Sequence, residues 1–162
     1  MLGKTHAAAS VCAGFGLAVA VAENPLTGAV IIGESWLGSL LPDIDHKNSK
    51  ISKKLKLTGF IVRLFTGHRA LFHNPLLYAA VYAALWHFRP DLAKFLIPLF
   101  MGIGTHLFLD ALTPMGVPIL PNRRLHMGNI RTGSSVEHAI YSLLIVAGFG
   151  ISVWGAGVRG LL

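Results

Sequence analysis

Phe95 to Leu112 reads FLIPLFMGIGTHLFLDAL, an apolar run whose only ionisable side chains, His106 and Asp110, arrive in its last turns. A run apolar on every side predicts a helix buried in a bundle or a bilayer rather than one lying on a soluble surface. A spacing of four puts the imidazole and the carboxyl on one helix face, about one turn apart, where both can reach one cation. Zinc and manganese accept that pair. The bland alternative is a polar pair satisfying itself inside the bundle, but ionisable groups at such depth are costly, which favours function.

Four further apolar stretches, Ala7–Ala22, Leu26–Leu41, Ala70–Phe88 and Ala139–Val158, are read as helices in the same way. With 53% hydrophobic and 13% charged residues, the chain holds about half the charge of an ordinary soluble domain. The expected fold is all-α: one domain over residues 1–162, a polytopic membrane bundle of four to five transmembrane or partly submerged helices. The first two stretches fall short of the ~20 residues that cross about 30 Å of hydrocarbon, so tilting or hairpin pairing is expected of them. The connections are a tight turn at Glu23-Asn24-Pro25, a basic loop from Pro42 to Arg69, a link at Arg89-Pro90-Asp91 and a Pro/Gly-rich loop from Thr113 to Ser135. Ala20-Val21-Ala22 resembles a signal-peptidase site, and cleavage there would remove His6. The thin positive region ahead of it, Lys4 and the amino terminus, argues for a retained helix.

Basic residues orient the bundle. With the N-terminus inside, Lys4, the lysines from Lys47 to Lys56, Arg63, Arg69, Arg123, Arg124 and Arg131 are cytoplasmic, leaving only Arg89, Lys94 and Arg159 outside. This asymmetry predicts a multi-pass protein of the cytoplasmic (inner) membrane. A basic excess at this hydrophobicity orients a chain among membrane lipids, and no aromatic-interleaved basic stretch points to a nucleic-acid partner. The single cysteine, Cys12, lies among small apolar residues and is read as packing. Any metal must then be held by imidazole and carboxylate, which suits zinc first, with manganese or iron as alternatives.

That topology comes from basic residues alone, yet the histidines and acids also fall on one side. His6 precedes the first helix; Asp43, Asp45 and His46 follow the second; His68 and His73 enter the third; His106 and Asp110 close the fourth; Glu137 and His138 open the fifth. Leu41-Pro42-Asp43-Ile44-Asp45-His46 ends a helix at a proline and sets three potential ligands on four residues; if it is extended, alternation aims Asp43 and Asp45 the same way. A solvated turn is the alternative. His68 and His73 are five apart, too far round a regular helix to share a face, but a loop entering a helix at Pro75 relaxes that constraint. Arg69 beside them is an anion clamp for a substrate phosphate or an interfacial cation. From Arg131 to Glu137, small residues, hydroxyls and a guanidinium before a helix start suit an anion. Ser134 or Ser135 as an N-cap with Glu137 in the first turn explains the same pattern without chemistry. Glu34, inside the second stretch, must pair or be protonated.

Together, Leu-Pro-Asp43-Ile-Asp45-His46, His68-Arg69-X-X-X-His73 and His106-X-X-X-Asp110 followed by Thr113-Pro114-X-Gly116-Val117 resemble the YdjM family of inner-membrane proteins. That family is described as LexA-regulated or membrane-bound metal-dependent hydrolases, similar to zinc-dependent phospholipase C and P1 nuclease. The resemblance implies His6, Asp43, His68, His73, His106 and Asp110 as metal ligands, with Glu137 a weaker candidate; the Asp43-Ile44-Asp45-His46 motif adds His46 on its own spacing. The soluble relatives also recruit the amino terminus and an N-terminal tryptophan. This chain begins Met-Leu-Gly-Lys-Thr-His6, and Gly133 stands where a fourth-residue imidazole partner of Glu137 would be, so one or two ions are expected rather than three. The expected activity is hydrolysis of a phosphoester, on a phospholipid or other phosphorylated substrate, by a metal-activated water. Asp43 or Asp45 would orient that water or take its proton, and Arg69 or Arg131 would stabilise charge on the phosphoryl oxygens. The alternative is a membrane metal-binding protein without catalysis, a transporter or sensor.

Overall fold

The structure, a computed structural model, describes residues 1–45, 72–120 and 122–159. Its elements run α1 (Gly3–Val21), α2 (Pro25–Leu40), a 3-10 turn (Pro42–Asp45), α3 (Pro75–Phe88), α4 (Pro90–Phe95), α5 (Ile97–Ala111), β1 (Val117–Leu120), β2 (Arg123–Leu125) and α6 (Ser135–Arg159). Two helices start on the same Asn-Pro device. Asn24 and Asn74 accept the N–H of Thr27 and Leu76 at 2.9 Å, and the following prolines occupy the first helical position, where a missing N–H costs nothing. The Asn74 cap delays the third helix to Pro75, so Phe72 to Asn74, expected to be helical, form a turn instead.

Proline also divides the run quoted first. Pro98 has no N–H for the Lys94 carbonyl and its ring crowds it, so the chain breaks at Leu96 before α5. The expected link at Arg89-Pro90-Asp91 opens the short helix α4 rather than remaining a loop. The expected Pro/Gly-rich loop after Thr113 contains an antiparallel hairpin, pairing Val117 with Leu125, Pro118 with Arg124 and Leu120 with Arg123. Ile119 is left over as a bulge. Gly116 enters this hairpin at φ +58°, and a Cβ there would stand 2.5 Å from the Leu125 carbonyl oxygen.

α1 packs against α2, α5 and α6, and α2 against α5, while α3 leans on α4 and α5. The tightest crossing is glycine on backbone. A Cβ on Gly38 would fall 2.0 Å from the Leu99 carbonyl oxygen, and one on Gly102 would fall 2.0 Å from that of Ser35. Hydroxyls finish these contacts, as small-residue helix interfaces in lipid require. Ser10 Oγ lies 2.6 Å from Thr105 Oγ1, and Ser35 Oγ donates to the Pro98 carbonyl at 3.2 Å. Of the helices, α1 and α6 are long and apolar enough to cross a membrane, with α3 and α5 apolar but shorter. The fold is therefore mostly helical with two candidate spans. α6 turns Leu143, Val146, Phe149 and Trp154 outward, a face that suits hydrocarbon better than water. Glu34 keeps one buried carboxyl oxygen, Oε2, without a hydrogen-bond partner among the described residues.

Gly102→Ala is expected to destabilise the protein by about 1–3 kcal/mol or more, because the methyl group meets backbone that cannot step aside. Gly104→Ala, two residues away where nothing lies within 4 Å, is the control and should be neutral or mildly stabilising. Thermal unfolding in detergent measures both.

Candidate metal centre

Alternating helix direction brings five chain segments to one end of the bundle: the start of α1, the end of α2, the turn before α3, the end of α5 and the start of α6. From four of these, His6, Asp43, His73, His106 and Asp110 converge. The spacing of His106 and Asp110 works as expected: their Nε2 and Oδ2 atoms lie 3.5 Å apart. His73 Nε2 stands 3.6 Å from both Asp43 Oδ1 and Asp110 Oδ2, and His106 Nε2 stands 4.0 Å from Asp43 Oδ1. The other oxygen of Asp110, Oδ1, faces His6 Nε2 at 3.2 Å and the Met1 ammonium at 2.7 Å. His6 stacks on His106 with ring centroids 3.8 Å apart.

The tautomer of His106 follows from one bond. Its Nδ1 lies 2.6 Å from the Ser39 carbonyl oxygen, which can only accept, so Nδ1 carries the proton. In the neutral ring Nε2 is then a bare lone pair. It is buried, has no hydrogen-bond partner among the described residues and faces two carboxylate oxygens. Lone pairs gathered in this way repel one another unless a cation lies among them. A backbone carbonyl on the far nitrogen is also what orients imidazoles that bind metals. Ligands about 2.1 Å from zinc stand about 3.4 Å apart at tetrahedral angles. The four imidazole–carboxylate separations, 3.5 to 4.0 Å, are within a small adjustment of that. The residues form two overlapping groups that could hold a metal ion, His6 with His106 and Asp110, and Asp43 with His73 and His106.

Exposure is graded across the cluster, from 1% of the side chain at His106 to 15% at His73, 17% at Asp110 and 36% at Asp43. Burial pushes the Asp43 carboxyl up, but the His73 imidazole beside it outweighs that and holds it below the ordinary carboxylate range.

Other expectations fared differently. His46, His68 and Arg69 lie outside the described residues. Asp43 and Asp45 sit in a 3-10 turn rather than an extended segment, so the alternation that would aim them together does not apply. Glu137 is fully buried but engaged elsewhere: Oε1 accepts the N–H of Leu2 at 2.5 Å and Oε2 that of Gly133 at 2.6 Å. Ser134 caps α6 by accepting the Glu137 N–H at 3.3 Å. The anion environment expected between Arg131 and Ser135 is thus filled by the protein's own carboxylate. Arg131 is exposed and makes no ion pair among the described residues. The Ser39 carbonyl and the Gly38–Gly102 crossing escaped the sequence, and the amino terminus, set aside there, stands 2.7 Å from Asp110.

Fold and cluster together define a helical membrane protein with a candidate metal site. The family described as YdjM inner membrane protein matches residues 1–159, and the chain belongs to it. It is 35% identical over 158 residues to the inner membrane protein YdjM of Escherichia coli K12, covering 86% of this chain and 78% of that one, and the Shigella flexneri protein of the same name matches equally. It is also 27% identical over 150 residues to the uncharacterized protein YvsG of Bacillus subtilis, covering 91% of each. No solved structure matches the chain.

Because Glu137 anchors backbone, Glu137→Gln should replace one acceptor with an amide donor facing an N–H and cost about 1–3 kcal/mol. Unfolding should shift down while metal content per folded chain stays unchanged. Lost metal in a stably folded variant would return Glu137 to the ligand set.

Proposed function

We propose that the protein is a membrane-bound metal-dependent hydrolase that cleaves a phosphoester of a lipid or another phosphorylated substrate. The observation that carries this is the bare, buried Nε2 of His106 facing Asp43 and Asp110. A divalent ion, zinc foremost, would supply Lewis-acid polarisation and a lowered water pKa there. The chain's own residues do the rest. His73, His106, Asp43 and Asp110 bind; Ser39 fixes the His106 ring; His6 steadies Asp110 from behind. Asp43, the most exposed member, faces the side from which substrate arrives and can hold the proton of an attacking water. Asp45, Arg69 and Arg131 are proposed in their expected roles of orienting water and binding phosphoryl oxygens.

The same proposal includes the topology. Segments opening α1, α3 and α6 and closing α2 and α5 meet at one end, which agrees with a five-pass bundle, and the positive-inside bias supports a cytoplasmic position for that end. A phospholipid suits such a site, because its acyl chains stay in the bilayer while its headgroup reaches Asp43. The non-catalytic alternative needs polar groups connecting both faces. Among the described residues Glu34, partly buried in the middle of α2, is the acidic side chain placed between the two ends of the bundle.

Purified protein should retain one or two divalent ions per chain, and hydrolysis of phospholipids or phosphodiesters should disappear with chelator. His106→Ala and Asp110→Ala should lose both metal and activity while eluting as the folded protein. Unchanged metal content in both variants overturns the assignment. Bound metal with metal flux into proteoliposomes and no hydrolysis transfers the site to a transporter.

A further inference from the structure

Beside the metal cluster the β1–β2 hairpin presents a surface that the hydrolase reading does not use. Met115, Leu120 and Met127 are 61%, 51% and 56% exposed, and Leu125 is also exposed. Arg123 and Arg124 stand between them on β2. From Thr113 to Ser134 the sequence holds no Asp or Glu. Arg124 spends one donor on the Gly116 carbonyl at 3.4 Å; neither guanidinium meets a carboxylate among the described residues. Four large apolar side chains around two unpaired cations are unfavourable against water and fit a layer that is apolar beneath and anionic above.

We infer that this hairpin is an interfacial anchor that seats its apolar side chains among the headgroups of an anionic lipid surface, with Arg123 and Arg124 on the phosphates. Its base is built to hold position. Val117 is buried against Ile103, Leu107 and Ala111 of α5, and the chain returns to the same helix through the N–H groups of Met127 and Ile130, bonded to the carbonyls of Ala111 and Leu112. The bulge has a use as well. It leaves Ile119 without an opposite residue, and its carbonyl instead accepts from Asn74 Nδ2 at 3.1 Å. Asn74 adjoins His73. The anchor is thereby joined through two bonded residues to one wall of the cluster, which fixes the height of the site above the headgroups. The inference rests on the membrane placement of the bundle but not on catalysis.

The test uses the full chain with Cys12→Ser and Leu120→Cys carrying a nitroxide, in vesicles of phosphatidylcholine alone or with phosphatidylglycerol. Phosphatidylglycerol should lower the label's accessibility to a water-soluble nickel chelate and raise it toward oxygen. Arg123→Glu with Arg124→Glu should abolish that difference. Equal nickel accessibility in both vesicles, or no effect of the charge reversal, overturns the anchor. A second label at Leu143, exposed on α6, separates the cases: shielded there while Leu120 is wet, only the anchor fails; wet at both, the membrane placement fails with it. Shielding of Leu120 that follows protein density and ignores lipid charge would assign the face to a second copy of the chain, which also overturns it.

Discussion

The backbone contact of α2 with α5 at Gly38 and Gly102 is the constraint on which the rest depends. Helices bearing side chains pack with axes 8–10 Å apart, whereas glycines at a crossing let carbonyl meet Cα directly. Here that approach sets the reach of one bond. Ser39 follows Gly38, and His106 lies one turn beyond Gly102 on the same face, so the carbonyl of one meets the ring nitrogen of the other at 2.6 Å. Asp110, a further turn along, continues the stripe to the point where α2 gives way to Pro42 and Asp43. A wider crossing would lose the bond that defines the His106 tautomer, and with it the direction of the lone pair.

Asp110 then organises the charge. Its two oxygens serve different neighbours, one turned to His6 and the Met1 amine, the other to His73 and His106. A carboxylate removed from water in this way needs donors or cations at its oxygens; the Met1 ammonium serves Oδ1, and Oδ2 faces the candidate metal site. Stacking of His6 on His106 at 3.8 Å adds a further condition, since charging both rings would set two cations face to face.

What the sequence made legible was chemistry with a spacing attached. His106 and Asp110 share a helix face because four residues make about one turn, Asp43 follows a helix-ending proline, and His73 precedes an Asn-Pro start; all three inferences survive in the structure. The side of the bundle on which they gather was legible from alternation alone. Backbone contributions were not, because a carbonyl has no letter: Ser39 acts through an atom that every residue possesses. Gly38 and Gly102 were hidden among 18 glycines, since only the crossing distinguishes them. Glu137 was visible as a carboxyl but not as an anchor, because its partners are the N–H groups of Leu2 and Gly133. The hairpin escaped because Val117 to Leu120 is too short and too rich in proline to outweigh its loop-like surroundings.

The cluster divides into a fixed half and an adjustable half. His6, His106 and Asp110 stand on helices α1 and α5, which pack against each other and against α2, and the two rings are the most buried members. Asp43 and His73 come from a 3-10 turn and a capping turn and sit at the wider separations, 3.6 to 4.0 Å. A cation needs shorter reach than that, so closing the site draws the turns toward the helices rather than the reverse. The Asn74 side chain, bonded both to Leu76 at the start of α3 and to the bulge at Ile119, keeps His73 within that reach while leaving its turn free to settle. Helices thus supply position, and turns supply the last few tenths of an ångström.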